Sequence, residues 1–169
     1  MLQNKLFFIF LFQKKFVILQ KKLKRYIALD IGQKKTGIAV TDTNRIIASP
    51  FTTIATNEIE TFLKSYFLEN QVEKVIVGLP KQMDNTASQS MKYVEPVFNR
   101  LKKVFKGIEF IYIDERFTSK LAVQTMLAAG IKKQQRQDKT IVDKISAAII
   151  LDSYLEKEKW EVKNNNLIL

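Results

Sequence analysis

Asp30, Glu115 and Asp143 lie far apart in the chain, yet their types and settings suit one kind of chemistry. Asp30 closes the apolar run Tyr26 to Ile31 and precedes Gly32. Glu115 follows the apolar run Ile108 to Ile113. Asp143 falls in the first turn of a helix expected to open at Thr140. Clustered carboxylates repel one another, and divalent cations relieve the repulsion. Two such ions about 4 Å apart can activate a water and stabilise the leaving oxygen of an in-line displacement at a phosphodiester. That reaction needs no covalent nucleophile from the protein. The chain has no histidine and no cysteine, which excludes Ser-His-Asp catalysis, imidazole bases, thiolate or imidazole zinc sites, and disulfides. A donor set made of oxygen alone favours Mg²⁺ or Mn²⁺, with two ions expected.

Each acid also has an ordinary reading. Thr140-Ile141-Val142-Asp143 has the spacing of a capping box. Asp30 suits a turn in which its carboxylate accepts backbone N–H groups. Glu115 could pair with Arg116 at the surface. Asp143, however, shares a helical face with Ala147, Ile150 and Tyr154, and a carboxylate on an apolar face must find a partner. What points to chemistry is that all three fall at one end of the expected sheet. Open α/β sheets bind ligands there, outside the carboxyl ends of the parallel strands.

The elements that must position them follow from periodicity. Tyr26 to Ile31 and Thr36 to Thr41 read as strands joined through a glycine turn. Asp42-Thr43-Asn44 is a second turn, and Arg45 to Ile54 is a third strand with Pro50 at an edge or bend. Short turns imply an antiparallel meander. Helical spacing follows from a cap at Asn57 to Asn70, through Ile59, Phe62, Leu63, Tyr66 and Phe67. Lys74 to Leu79 is a continuous apolar strand suited to a parallel sheet. A polar loop, 81–88, then precedes a helix from Ser90 to Phe105, the strand Ile108 to Ile113, and a helix capped by Thr118 and closed by Gly130. The last helix runs from Thr140 to Lys157, and the Asn-rich tail from Trp160 frays or adds an edge strand. The expected fold class is α/β: a mixed five-stranded sheet, three antiparallel strands followed by parallel ones, flanked by helices.

At 169 residues the chain suits one domain. The expected division is an N-terminal basic and apolar extension (1–24), the domain itself (25–158) and a C-terminal tail (159–169). The formal charge of +11 is uneven. Residues 1–25 hold seven bases and no acid, while 26–169 hold 21 bases and 17 acids, a net +4. The expected domain is therefore only mildly basic, compatible with a polyanionic partner but weak evidence for one. The apolar stretch Leu6 to Phe12 is interrupted at Lys14 and Lys15. It is too short for a membrane span and unlike a signal peptide, so no obligatory membrane partner is expected and the default compartment is the cytoplasm.

Four stretches resemble the YqgF/RuvX family of the RNase H-like superfamily, which also holds the RuvC-type Holliday junction resolvases. They are YIALDIGQKKTGIAV (Tyr26 to Val40), VIVGLPKQMDNT (Val75 to Thr86), IDERFTS (Ile113 to Ser119) and VDKISAAIILDSYLE (Val142 to Glu156). The resemblance covers about residues 25 to 157 and implies an RNase H-like fold. It also implies a bacterial cytoplasmic nuclease maturing the 5′ end of pre-16S ribosomal RNA, with ribosomal particles as a further expected partner. An older assignment in the family is resolution of branched DNA. Asp30, Glu115 and Asp143 match the family's acidic positions. Lys34, Lys35, Lys81 and Arg116 are implied to lie near the substrate backbone, as phosphate contacts by Lys and Arg would. Asn85 stands where the family usually has Gly, and Phe117 where Leu is common. Residues 1–24 have no counterpart.

Two rivals use the same features. An actin-like ATPase or sugar kinase begins with a similar strand-Asp-x-Gly turn, but it needs two lobes and a second phosphate loop that this chain lacks. A non-catalytic RNA-binding assembly factor would use the basic surface and leave the acids idle. Nothing in the sequence reveals a dimer interface, so monomer and homodimer both stay open.

Overall fold

The computed structural model describes residues 24–79, 90–114, 124, 126–127, 130 and 138–165. Strands β1 (Arg25–Ile31), β2 (Lys35–Thr41) and β3 (Ala48–Ala55) form the meander. A 3-10 turn (Thr56–Glu58), helix α1 (Ile59–Glu69), strand β4 (Val72–Leu79), helix α2 (Met91–Val104), strand β5 (Glu109–Asp114) and helix α3 (Lys139–Asn165) follow. The sheet order is β3-β2-β1-β4-β5, with β1–β2 and β2–β3 antiparallel and β1–β4 and β4–β5 parallel. This is the mixed five-stranded sheet, three antiparallel strands followed by parallel ones, expected from the sequence.

Alternation along each strand splits the apolar side chains between two layers. Ile27, Leu29, Ile38, Val40, Val75 and Val77 pack with Ile59, Leu63, Val94, Phe98 and Leu101 of α1 and α2. Tyr26, Ala28, Ala39 and Ile76 pack with Ala147, Ile150, Leu151, Tyr154 and Leu155 of α3. Each fully buried Ile or Leu contributes about 1.5–3 kcal/mol. Small residues on the second face, Ala28 and Ala39 against Ala147 and Ala148, let α3 lie close to the strands. Asp30 follows Tyr26 and Ala28 in that alternation and so belongs to the α3 side.

Several boundaries differ from the sequence reading. The third strand starts at Ala48 rather than Arg45. The Asp42 carboxylate accepts N–H bonds from Asn44, Ile46 and Ile47 at 3.1, 2.7 and 2.9 Å, which winds the turn further, and Arg45 takes φ 58°. Asn57 caps nothing. It lies inside the 3-10 turn, which follows Ala55 without a side-chain cap. The last helix continues to Asn165 instead of ending near Lys157 and fraying, because its far end is pinned to the sheet by Glu158. Most of the helix expected from Thr118 to Ala129 lies outside the described residues, although Gln124, Met126 and Leu127 are helical and Gly130 has φ 69°.

Helix α3 approaches the sheet closely at Gly37 of β2. Gly37 pairs with Asp30 of β1 on one side and with Thr53 of β3 on the other. A Cβ built on Gly37 would fall onto the Asp143 carbonyl and lie 2.9 Å from the Lys144 nitrogen. Only a residue without a side chain permits this contact. Gly37→Ala is therefore expected to push the start of α3 off the sheet and destabilise the protein by about 1–3 kcal/mol or more, read as a drop in urea midpoint with far-UV circular dichroism retained.

Candidate functional site

Asp30 and Asp143 come together at the carboxyl end of β1. Asp30 arrives on a strand whose next turn is tightly fixed. Gly32 N–H donates to the Lys35 carbonyl at 2.9 Å. The Thr56 hydroxyl donates to the Gly32 carbonyl at 2.8 Å. With that proton committed, Thr36 is the donor in its 3.0 Å bond to Thr56. Asp143 arrives on the first turns of α3, seated over Gly37. Both side chains are partly exposed, and among the described residues neither carboxylate has a hydrogen-bond donor or a short ion pair.

The electrostatics follow from that setting. Burial pushes the Asp30 carboxyl up to about 7, and the Asp143 carboxylate beside it adds to the rise. Burial also raises Asp143. The ammonium groups of Lys35 and Lys139 work against that rise, and Asp138 adds slightly to it. Two acids that resist ionising together form an oxygen-donor pair of the kind hard divalent cations take. Among the described residues no group of three acids is placed to hold a metal ion. Glu115, the third acid expected here, lies outside the described residues. β5 ends at Asp114, which pairs with Leu79 at the end of β4.

Of the four basic residues expected at the substrate backbone, Lys35 is exposed at the start of β2, close enough to influence both Asp143 and Asp138. Lys34 is exposed in the turn before it. Lys81 and Arg116 lie outside the described residues, as does Asn85. The capping-box reading of Thr140 and Asp143 does not hold. The helix starts at Lys139, and Asp138 is the capping residue, accepting from the Thr140 N–H at 2.9 Å and the Thr140 hydroxyl at 2.6 Å. Asp143 is thereby released from capping. Sequence reading missed Gly37, Asp138 and Lys139. The Asp-Lys-Thr run before the helix carried a capping signal at Asp138 that Thr140 masked.

A second charged cluster lies at the other end of the sheet, around an open cleft of about 590 Å³ lined by Tyr26, Arg45, Glu73, Lys74, Glu158 and Lys163 among others. Its inner charges neutralise one another. Lys74 donates to Glu158 at 2.7 Å and to the Tyr154 hydroxyl at 2.8 Å. Tyr26 donates to Glu158 at 3.0 Å, and Arg45 pairs with Glu73 at 2.8 Å. Burial works to lower the Lys74 pKa, and the bonds to Glu158 and Tyr154 overcome it and raise it. Burial, with the Glu158 carboxylate, pushes the Tyr26 phenol up to about 12. Satisfied pairs of this kind fasten a helix to a sheet, and they contrast with Asp30 and Asp143, which have no such partners among the described residues.

Among the described residues no helix is long and apolar enough to cross a membrane. The family model described as RuvX, Holliday junction resolvase, matches residues 24–157. A protein of Bacteroides thetaiotaomicron is 51% identical over 138 residues, covering 82% of this chain and 100% of the relative. One of Bacteroides fragilis is 51% identical over 137 residues, covering 81% and 99%. Both bear the name "Putative pre-16S rRNA nuclease". Among solved structures, an Aquifex aeolicus Ppx/GppA phosphatase is 15% identical and covers 62% of this chain and 41% of its own, at a TM-score of 0.34. That likeness is too slight to bear on function.

The raised Asp30 pKa has a thermodynamic sign. The folded value lies above the unfolded value of about 3.9, so the folded state binds the proton more tightly. The ionisation penalty is absent below about pH 4, grows as pH rises to about 7, and is full above that. Asp30→Asn removes it. The metal-free variant is expected to be more stable than the unsubstituted protein at pH 8 by on the order of 4 kcal/mol, with the gap closing at pH 4. Thermal melts at the two pH values check this.

Proposed function

Because this chain belongs to the RuvX family, we propose that it is a metal-dependent endonuclease that hydrolyses phosphodiester bonds and trims the 5′ end of pre-16S ribosomal RNA. The observation that carries this reading is the Asp30–Asp143 pair at the carboxyl end of β1, without a hydrogen-bond donor among the described residues and with Lys35 near Asp143. The names borne by relatives about half identical over their whole length support the substrate.

In this reading Asp30, Asp143 and Glu115 would hold two Mg²⁺ or Mn²⁺ ions. When bound, such ions would supply charge stabilisation and a water made acidic enough to attack. The side chains then have separate tasks. Asp30, fixed on its strand, would offer its carboxylate to the ions from the sheet side. Asp143 closes the site from the helix side. Lys35 and Lys34, on the β1–β2 turn, meet non-bridging phosphate oxygens of the flanking nucleotides, and Lys81 and Arg116 extend that contact. The compartment would be the cytoplasm, where precursor ribosomal RNA is made and matured.

The description carried by the family model favours a second reading, cleavage of branched DNA. A single assay separates the two. The protein is incubated with Mg²⁺ and either a precursor 16S fragment or a four-way DNA junction. The RNA is expected to be cut and the junction spared, and Asp30→Asn is expected to lose at least about 100-fold in rate, since it removes a ligand to the charge-stabilising ion. Junction cleavage without RNA cleavage would favour the second reading, and undiminished cleavage by Asp30→Asn would end both.

A further inference from the structure

We propose that Thr53, an edge-strand residue that touches neither carboxylate, is a positioning residue for Asp143. The inference rests on the reading of Asp30 and Asp143 as cation ligands.

Asp30, Gly37 and Thr53 form a row across three strands, each paired with the next. The start of α3 lies over that row. Gly37 in the middle sets how near the helix backbone can come. Contact at one point leaves the helix free to rock or rotate about it. Thr53 supplies the second point. Its hydroxyl donates to the Thr140 carbonyl at 2.7 Å, a partly buried bond between residues 87 apart in sequence. Thr140 lies three positions before Asp143, nearly one helical turn, so the two move together. Fixing Thr140 on the β3 side and the Asp143 backbone on β2 leaves the Asp143 side chain directed towards β1, where Asp30 stands.

The same bond accounts for a choice of residue. Thr53 is on the face of an edge strand, where Val would serve packing equally well. Valine cannot donate to a carbonyl. The Thr140 carbonyl is also available to the helix's own hydrogen bonding, so losing the hydroxyl costs little stability. The loss should instead appear in the spacing of the two acids. Groups that orient metal ligands without touching the metal typically alter affinity by about 10- to 100-fold.

The test uses the full chain with Thr53→Val and Thr53→Ser. Thermal melts without metal, Mn²⁺ titration by calorimetry, and kcat and KM for the precursor RNA fragment are measured for each. Thr53→Val should melt within a few degrees of the unsubstituted protein, bind Mn²⁺ about 10-fold or more weakly, and lose kcat with little change in KM. Thr53→Ser, which keeps the donor, should restore both. If Thr53→Val does not fold, Thr53→Ala carries the same expectation. Unchanged Mn²⁺ affinity in a folded variant lacking the hydroxyl, failure of Thr53→Ser to restore it, or no Mn²⁺ binding by the unsubstituted protein would each overturn the proposal. Failure of the nuclease reading looks different: Mn²⁺ binds in a Thr53-dependent way and no RNA is cut.

Discussion

Two like charges are held against one another at the end of a strand, and much of the surrounding structure exists to keep them there. Asp30 cannot turn away, because the backbone on either side of it is committed to β2 and β4 and to the Gly32 turn. Asp143 cannot retreat, because its helix is pressed onto Gly37. Left to themselves, two carboxylates in such a place would separate or acquire donors. Among the described residues the fold gives them neither, and the cost appears as a carboxyl at Asp30 pushed up to about 7 by burial and by Asp143. Structural acids elsewhere in the same chain behave differently. Asp42 collects backbone N–H donors, Asp138 accepts from the Thr140 hydroxyl and N–H, and both are held below the usual carboxylate range.

Helix α3 is the member that makes this arrangement rigid, and its two ends are fastened by different physics. At its start the contact is between backbones, with Gly37 removing the obstacle. About 22 Å further along, Glu158 is gripped by Lys74 and Tyr26, and Lys74 also lies over the rings of Tyr26 and Tyr154. Between the two ends Ala147, Ile150, Leu151 and Leu155 are buried against the sheet. A helix held at both ends and along its middle has little freedom to change the angle at which Asp143 is presented. The satisfied ion pairs at one end thus serve the unsatisfied acids at the other.

Much of this was legible in the sequence, for reasons that differ by residue. Strands β1, β4 and β5 carry their own signature, continuous apolar runs such as Lys74 to Leu79, and their order fixed the sheet. Asp30 could be located because it interrupts such a run just before glycine, and Asp143 because its helical neighbours Ala147 and Ile150 mark a buried face. Boundaries set by side chain to backbone bonds were not legible. Asp42 winds three extra residues into its turn by collecting N–H donors, and no local preference announces that. The extension of α3 to Asn165 depends on Glu158 meeting Lys74, 84 residues away. Gly37 resembled an ordinary turn glycine, since its reason, the Asp143 backbone above it, belongs to an element more than a hundred residues further on.

The energetic scale explains how so unfavourable a pair can persist. A shift of the size at Asp30 corresponds to on the order of 4 kcal/mol at neutral pH, against a total stability of about 5–15 kcal/mol for a domain. Burial on two faces of one sheet can carry that load because a single fully buried Leu29 or Leu151 contributes about 1.5–3 kcal/mol. Without those apolar layers the acids would have to be solvated, paired or replaced. A doubly charged ion bound between them would recover the penalty as binding energy, because repulsion already present in the empty site becomes attraction to the ion. Folding and ligand affinity are then linked through the same two side chains: burial holds the acids in an unfavourable state, and that state is what a cation would relieve.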